Sequence, residues 1–331
     1  MKINLCVGPM SMNTINSINY FAKNRKKEIT IICSRNQIES NNLGGGYVNN
    51  FTTEKFSQYI KNFNNKFIKI ARDHGGPYTS DKKKNNFRKE MNNSKNSLEQ
   101  DIKSGFNEIH IDTSNVKDKK FELAIDLYKF CNEISNKYNK KISYEIGINF
   151  HGDYFNKNEF LKLFNLFKKY KNIKYFTGTT GSKIKNSKQV GKFNSKDMKF
   201  LSSYLYKNNI LIKDHNCDFL ELTDIKFRKK IGITSFNIGP ELAYNENKIL
   251  YKYGNTHKNI NFIKFFKKVL NKNKWKKWCD NRCSDVNKFL SSAHYFYNDS
   301  DYKIYQEKYL NNTSFKDDVL KEHIKIYEKF F

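Results

Sequence analysis

Short runs rich in Ile, Val and Phe recur along the chain. Each is followed by a polar stretch and then by apolar residues three and four positions apart. The runs cover residues 3–8, 29–34, 67–74, 108–112, 142–148, 173–178, 210–214 and 234–238. The periodic segments between them predict helices over 51–62, 96–104, 120–139, 158–170, 195–207 and 221–231. Thr52 and Thr53 are cap candidates for the first of these, and Gly105 is the stop for the second. Strand–helix alternation specifies a parallel sheet, and eight units close into a barrel. The expected fold class is therefore α/β, a (β/α)8 TIM barrel with a C-terminal helical extension; a doubly wound open sheet is the alternative. The barrel is expected over residues 1–255. A closing helix and helical extension packed on the barrel are expected over 256–331. Residues 82–96, rich in Lys and Asn, read as a loop able to act as a lid. Trp275, Trp278 and the cluster Tyr295, Phe296 and Tyr297 read as helix-packing core rather than as a base-stacking platform.

In such a barrel the residues just past each strand converge on one pocket. Here those exits are polar. The second strand leads into Arg35, Asn36 and Gln37, then Gly44, Gly45 and Gly46. The third ends in Asp73-His74-Gly75-Gly76-Pro77, and the fourth in His110-Ile111-Asp112-Thr113-Ser114. The fifth carries Glu145, and the sixth runs into Thr177-Gly178-Thr179-Thr180-Gly181-Ser182-Lys183. The last two supply Lys213-Asp214-His215-Asn216 and Asn237-Ile238-Gly239-Pro240. Strand alternation separates Asp73 from His74, but the glycines behind them let both side chains turn into the mouth.

Two imidazoles, His74 and His215, with carboxylates nearby suit a divalent metal such as zinc. A metal there would act as a Lewis acid while Asp73 moves a proton. The alternative is that both histidines hydrogen-bond in a polar mouth. The segment 178–183 has the small residues and terminal lysine of a phosphate cradle, without P-loop spacing. Lys183 and Lys213 also admit a rival chemistry, a Schiff-base lysine.

Composition narrows the classes. The formal charge of +28 suggests attraction for anionic substrates, but it is carried mostly by lysines spread over every helix. Only six arginines occur, at 25, 35, 72, 88, 228 and 282, so no nucleic-acid partner is expected. No run of about twenty apolar residues is present, so no membrane partner is expected. The start of the chain lacks the pattern of a secretory signal, and the six cysteines are scattered. Cys279 and Cys283 lack the second ligand pair of a zinc site, and reduced thiols in the cytoplasm are the expectation.

Seven motifs in order carry a family resemblance: Cys33–Gln37 with Gly44–Tyr47, Asp73–Pro77, Gly105–Ser114, Tyr144–Gly147, Gly178–Ile184, Lys213–Asp218 and Asn237–Pro240. The chain resembles the tagatose-bisphosphate aldolase class II accessory (non-catalytic subunit) family, related to the class II fructose-bisphosphate aldolases. The match runs from about residue 3 to 255 and more loosely beyond. The resemblance implies a barrel of carbohydrate metabolism and a phosphorylated sugar substrate. It implies either a metal-dependent lyase or a subunit that stabilises a catalytic aldolase, with a homo-oligomer as another arrangement. Asp73 would be the acid/base aspartate, His74 and His215 metal ligands, and Glu145 a carboxylate near the metal. Asn36, Gln37, Gly178, Thr179, Gly181, Ser182, Lys183 and Asn237 would contact substrate. Catalytic class II aldolases place a third histidine after the sixth strand, where this chain has Thr179-Thr180-Gly181. His110 and His151 are not obvious replacements for it; a carboxylate or Gln189 would have to complete the ligand set.

Overall fold

The computed structural model describes residues 2–81, 86–147, 155–178, 181–311 and 314–331. Eight parallel strands close into a barrel in the order β1-β10-β9-β6-β5-β4-β3-β2. They are β1 (Asn4–Val7), β2 (Ile29–Cys33), β3 (Ile68–Gly75), β4 (Glu108–Asp112), β5 (Ser143–Gly147), β6 (Ile173–Gly178), β9 (Leu211–Asp214) and β10 (Ser235–Ile238). The two remaining strands, β7 (Ile184–Lys185) and β8 (Lys188–Gln189), form a small antiparallel hairpin after β6. β2 and β4 are buried at every position, as parallel strands covered on both faces must be. The barrel was legible to within a residue or two at each strand end. Ile148, placed in the fifth strand by its pattern, lies outside the described residues.

The helices around the barrel are α1 (Met12–Arg25), α2 (Thr53–Lys61), α3 (Phe87–Ser104), α4 (Lys120–Lys137), α5 (Lys157–Phe167), α6 (Ser195–Lys207), α7 (Leu222–Lys230) and α8 (Pro240–His257). The abundant Asn and Ser serve as caps: the side chains of Ser11, Asn86, Asn156 and Asn194 each accept a backbone N–H of the first turn they precede. Three helices depart from expectation. α1 was not anticipated, because its Asn- and Ser-rich sequence blurs the apolar stripe, and the closing helix α8 starts at Pro240 rather than after residue 255. α3 begins at Phe87, so most of the stretch read as a loop is helix; residues 82–85 lie outside the described residues. The face that α3 buries is polar, consisting of Glu90, Ser94, Ser97 and Asp101 beside Leu98 and Ile102. Asp101 holds Arg72 with two 2.6 Å bonds, Ser97 donates to Glu39 at 2.7 Å, and Glu39 pairs with Arg35 at 2.7 Å. The half that the pattern missed buries only Glu90, which accepts the Tyr78 N–H, and Ser94, which accepts from Arg35, so it has no apolar stripe to read.

Beyond α8 the chain continues as α9 (Ile260–Asn271), α10 (Asp285–Ser292), α11 (Ser300–Tyr305) and α12 (Phe315–Glu328). α8 to α12 share an aromatic cluster that includes Phe262, Phe265, Phe289, Tyr302 and Phe315. The C-terminal end, from α12 onward, returns to the barrel. Tyr327 meets Phe21 edge-on at 5.3 Å, and Phe330 lies 5.4 Å from Phe236 of β10. Ser17 of α1 bonds both His323 and Tyr327, so this end of the chain covers the seam where β10 meets β1. No described helix is long and apolar enough to cross a membrane.

Candidate active site

The C-terminal ends of β3, β4, β5 and β9 bring three imidazoles and three carboxylates together. At the end of β3 the register with β4 shifts between Arg72 and Gly75, and His74 adopts φ 51°. That left-handed backbone turns His74 as well as Asp73 toward the barrel axis, a strain of the kind usually kept for functional sites. The following glycine is obligatory, because a Cβ on Gly76 would sit 1.6 Å from the Asp112 carbonyl oxygen.

His74, His110 and His215 form a triangle, with ring centroids 5.1 Å (74–110), 5.3 Å (110–215) and 5.5 Å (74–215) apart. His74 Nδ1 meets Asp112 Oδ2 at 2.6 Å, which leaves Nε2 facing Asp73 Oδ2 at 3.6 Å. His215 Nε2 meets Glu145 Oε1 at 2.7 Å. His110 is fully buried; its Nδ1 receives the His74 backbone N–H at 3.2 Å and lies 3.3 Å from Asp73 Oδ1. Its ring occupies space left by Gly147, where a Cβ would fall 1.8 Å from His110 Nε2. Potential ligand atoms of Asp73, His74 and His215 lie within 4.8 Å of one another, as do those of His110, Glu145 and His215.

The electrostatics follow from this crowding. Burial disfavours the His74 imidazolium, but Asp73 and Asp112 beside it prevail and push it up to about 9. Burial likewise opposes ionisation of Asp73, yet His74, His110 and His215 hold its carboxyl well below the usual range. Glu145 is also held ionised, against its burial, by His110, Lys213 and His215. Its oxygens accept from Thr177 at 2.7 Å and from Lys213 at 2.6 Å. Lys213 is buried between Glu145 and Glu108, and these carboxylates keep it charged despite its burial. A Schiff-base lysine has to shed its proton, so this environment works against the rival chemistry at Lys213.

Above the histidines lies an open cavity of about 410 Å³, within the range of small-ligand sites. Asp73, His74, His215, Asn36, Gln37, Lys183 and Asn237 all line it. Asn237 is 5% exposed, and among the described residues neither its amide nitrogen nor its amide oxygen has a hydrogen-bond partner. Asn36 also ties the loop after β3, accepting the Asp81 backbone N–H at 2.7 Å. The segment expected to cradle phosphate is divided. Gly178 closes β6, and Thr179 lies outside the described residues. Gly181 takes φ 78° against the backbone of Lys192, and Ser182 accepts from Arg228 Nη2 at 3.2 Å. Gln189 is a staple: its Nε2 donates to the backbone oxygens of Asn216 and Asp218, and its Oε1 accepts from the Lys183 N–H. Both of its polar atoms are thereby occupied, which removes it as a ligand to complete the histidine set.

No protein-family model matches the chain, and no curated protein matches it. Solved structures do. A probable tagatose 6 phosphate kinase from Sinorhizobium meliloti 1021 superposes with a TM-score of 0.77 at 14% identity, covering 100% of this chain and 99% of that one. The YdjI aldolase from Escherichia coli K12 gives 0.58 at 12% identity, with coverage of 99% and 91%. A fructose-bisphosphate aldolase from Campylobacter jejuni gives 0.60 at 12% identity, with coverage of 99% and 90%. The chain shares its fold with these proteins.

Sequence reasoning missed three parts of the site. His110 was set aside as a replacement for the missing histidine, yet its ring stands with the other two. Asp112, the partner of His74, was seen only as part of a polar strand exit. Lys277, Trp278 and Tyr295 line the cavity from the C-terminal segment, whereas Trp275 is buried as expected of packing core. The alternation of β4 was a usable signal for the first two, since residues 110 and 112 share one face of the strand.

Proposed function

We propose that this protein is a class II aldolase-like lyase that uses a divalent metal to cleave a carbon–carbon bond of a phosphorylated ketose, with tagatose bisphosphate the first substrate to test. The observation that carries this reading is the imidazole triangle of His74, His110 and His215 beside the ionised Asp73. The donor set fits a zinc-like ion: the imidazoles of His74 and His215 from two strands, carboxylates in reach, and Asp112 behind His74 as the outer partner that metal-bound histidines usually have. His74 and His215 would hold the ion, with His110 and Glu145 offering further donors deeper in the site. A divalent ion there supplies Lewis-acid polarisation of the ketone and stabilises the negative charge that develops on bond cleavage.

The chain's own groups do the rest. Asp73 accepts the proton of the substrate hydroxyl as the bond breaks and returns it in the condensation direction. Glu145 fixes His215, and Lys213 fixes Glu145 from below. Asn237 offers both a donor and an acceptor to substrate hydroxyls. The decisive experiment loads the purified protein with zinc, cobalt or manganese and assays cleavage of tagatose 1,6-bisphosphate, with metal content measured alongside. Cleavage that is lost in Asp73→Asn, together with metal lost in His74→Ala and His215→Ala, supports the lyase. Equal and negligible metal in all three proteins sinks it.

A second reading has its own observation. The segment after β6, where catalytic class II aldolases carry a histidine, has none here between residues 178 and 183. On that reading the barrel is an accessory subunit stabilising a catalytic partner. Raised thermal stability of a co-expressed aldolase, unchanged by Asp73→Asn, would favour it.

A further inference from the structure

The cavity over the histidines has a floor and a rim of opposite character. The floor is acidic and imidazole-rich: Asp73, His74 and His215. The rim carries two exposed lysines, Lys183 from the loop after β6 and Lys277 from the turn between α9 and α10. The neighbouring lysines are spoken for, since Lys274 pairs with Asp81 at 3.0 Å and Lys185 with Asp280 at 2.6 Å. Among the described residues no carboxylate lies within ion-pair distance of Lys183 or Lys277. The Lys277 ammonium stands 5.1 Å from the Trp278 ring centroid. Beside it, Trp278 and Tyr295 present aromatic surface to the same cavity.

This wall is built before any ligand arrives. Trp278 Nε1–H donates to Tyr295 Oη at 3.1 Å, and Tyr295 packs edge-on against Tyr47 at 4.9 Å. The Trp278 carbonyl accepts the Asn186 N–H at 2.8 Å, so the β7–β8 hairpin and the C-terminal turn are joined across the mouth. Rings already fixed lose little freedom when a ligand binds. Across the cavity, Asn237 waits buried, both its amide atoms unpartnered among the described residues.

We propose that Lys277, Trp278 and Tyr295 form the specificity wall for a phosphorylated sugar. The rings take the apolar face of the carbohydrate, and Lys277 with Lys183 takes a phosphate remote from the histidines. The proposal rests on the sugar-phosphate reading above. It adds that the C-terminal segment, beyond the last barrel strand, selects the substrate. The ligand must therefore carry a phosphate at the rim and hydroxyls over the floor, and be long enough to run from one to the other.

The chain has two tryptophans, so its indole N–H region in an ¹⁵N-correlated NMR spectrum holds two signals, and Trp278→Phe assigns them. Titration with tagatose 1,6-bisphosphate should move the Trp278 signal and leave that of the buried Trp275 in place. Lys277→Met should weaken this binding at least about fivefold, with an unchanged melting temperature and a Trp278 signal still present in the free protein. Tagatose without phosphate should bind more weakly than the bisphosphate, and inorganic phosphate alone should leave Trp278 nearly unmoved. A Trp278 signal unmoved by millimolar tagatose bisphosphate overturns the proposal, as does Lys277→Met binding with wild-type affinity. Because this readout needs no turnover, absent cleavage with an intact Trp278 response would fault the lyase reading alone. Cleavage with a silent Trp278 would fault the wall alone.

Discussion

His74 Nδ1 lies 2.6 Å from Asp112 Oδ2, and this contact across β3 and β4 fixes which nitrogen of His74 faces the cavity. Without the carboxylate the ring could rotate, and its basicity toward a metal would fall. Asp112→Asn is expected to weaken divalent-metal affinity by about 10- to 100-fold, the usual range for loss of such an outer partner. Competition against a chromophoric chelator measures it, and wild-type affinity in the variant would show that Asp112 does not govern the ligand.

Gly147 makes a sharper test of His110. A methyl group there would enter the space of the imidazole, 1.8 Å from Nε2. Gly147→Ala should therefore displace His110 at a stability loss of about 1–3 kcal/mol and reproduce the metal-binding defect of His110→Ala. If Gly147→Ala binds metal as the wild type does while His110→Ala does not, the ring has room that the geometry denies it.

How much of this was readable beforehand depends on what kind of force holds each part. The strands were legible because Ile29–Cys33 and its counterparts, covered on both faces, are short runs rich in Ile, Val and Phe. Asp73, His74 and His215 were legible because polar groups at strand exits break that pattern. The first half of α3 was not, because the side chains it buries, Glu90 and Ser94, are polar and offer no apolar stripe. Trp278 and Tyr295 were misjudged for a related reason: an aromatic residue in a helical segment has the same pattern whether it faces core or cavity. Only the path of the chain over the barrel mouth separates the two.

The buried ion pair of Arg72 and Asp101 yields a stability prediction. Arg72 is fully buried, and Asp101 meets two of its nitrogens while Cys33 and Ile38 carbonyls accept from a third. Asp101→Ala leaves the guanidinium charge uncompensated and should destabilise the fold by about 3–5 kcal/mol. Urea unfolding reads this directly. A loss under 1 kcal/mol would mean that water or another group reaches Arg72.

Glu246 of α8 is another buried carboxyl; among the described residues Ser11 and Asn13 bond it and no cation lies against it. Burial pushes it up to about 7 from the usual 4.5, and the two hydrogen bonds only partly counter this. The folded state therefore holds its proton more tightly than the unfolded chain does. Its contribution to stability is full below about pH 4.5 and is lost as the pH rises through about 7. Glu246→Gln should remove this dependence and gain on the order of 2 kcal/mol at pH 8. Melting temperatures at pH 5 and pH 8 test it, and an equal fall for both proteins would rule Glu246 out as the source.

The contact of Phe330 with Phe236 has a bearing on how the protein is made. Residues 235–238 complete the ring of strands, yet Phe236 of β10 packs against a ring some ninety residues further along the chain. On the ribosome the nascent barrel therefore waits, through the production of some ninety further residues, for the segment around residue 330 that packs on its β10–β1 seam. A chain released short of that segment would expose this seam to chaperones and proteases, whatever the condition of its histidines.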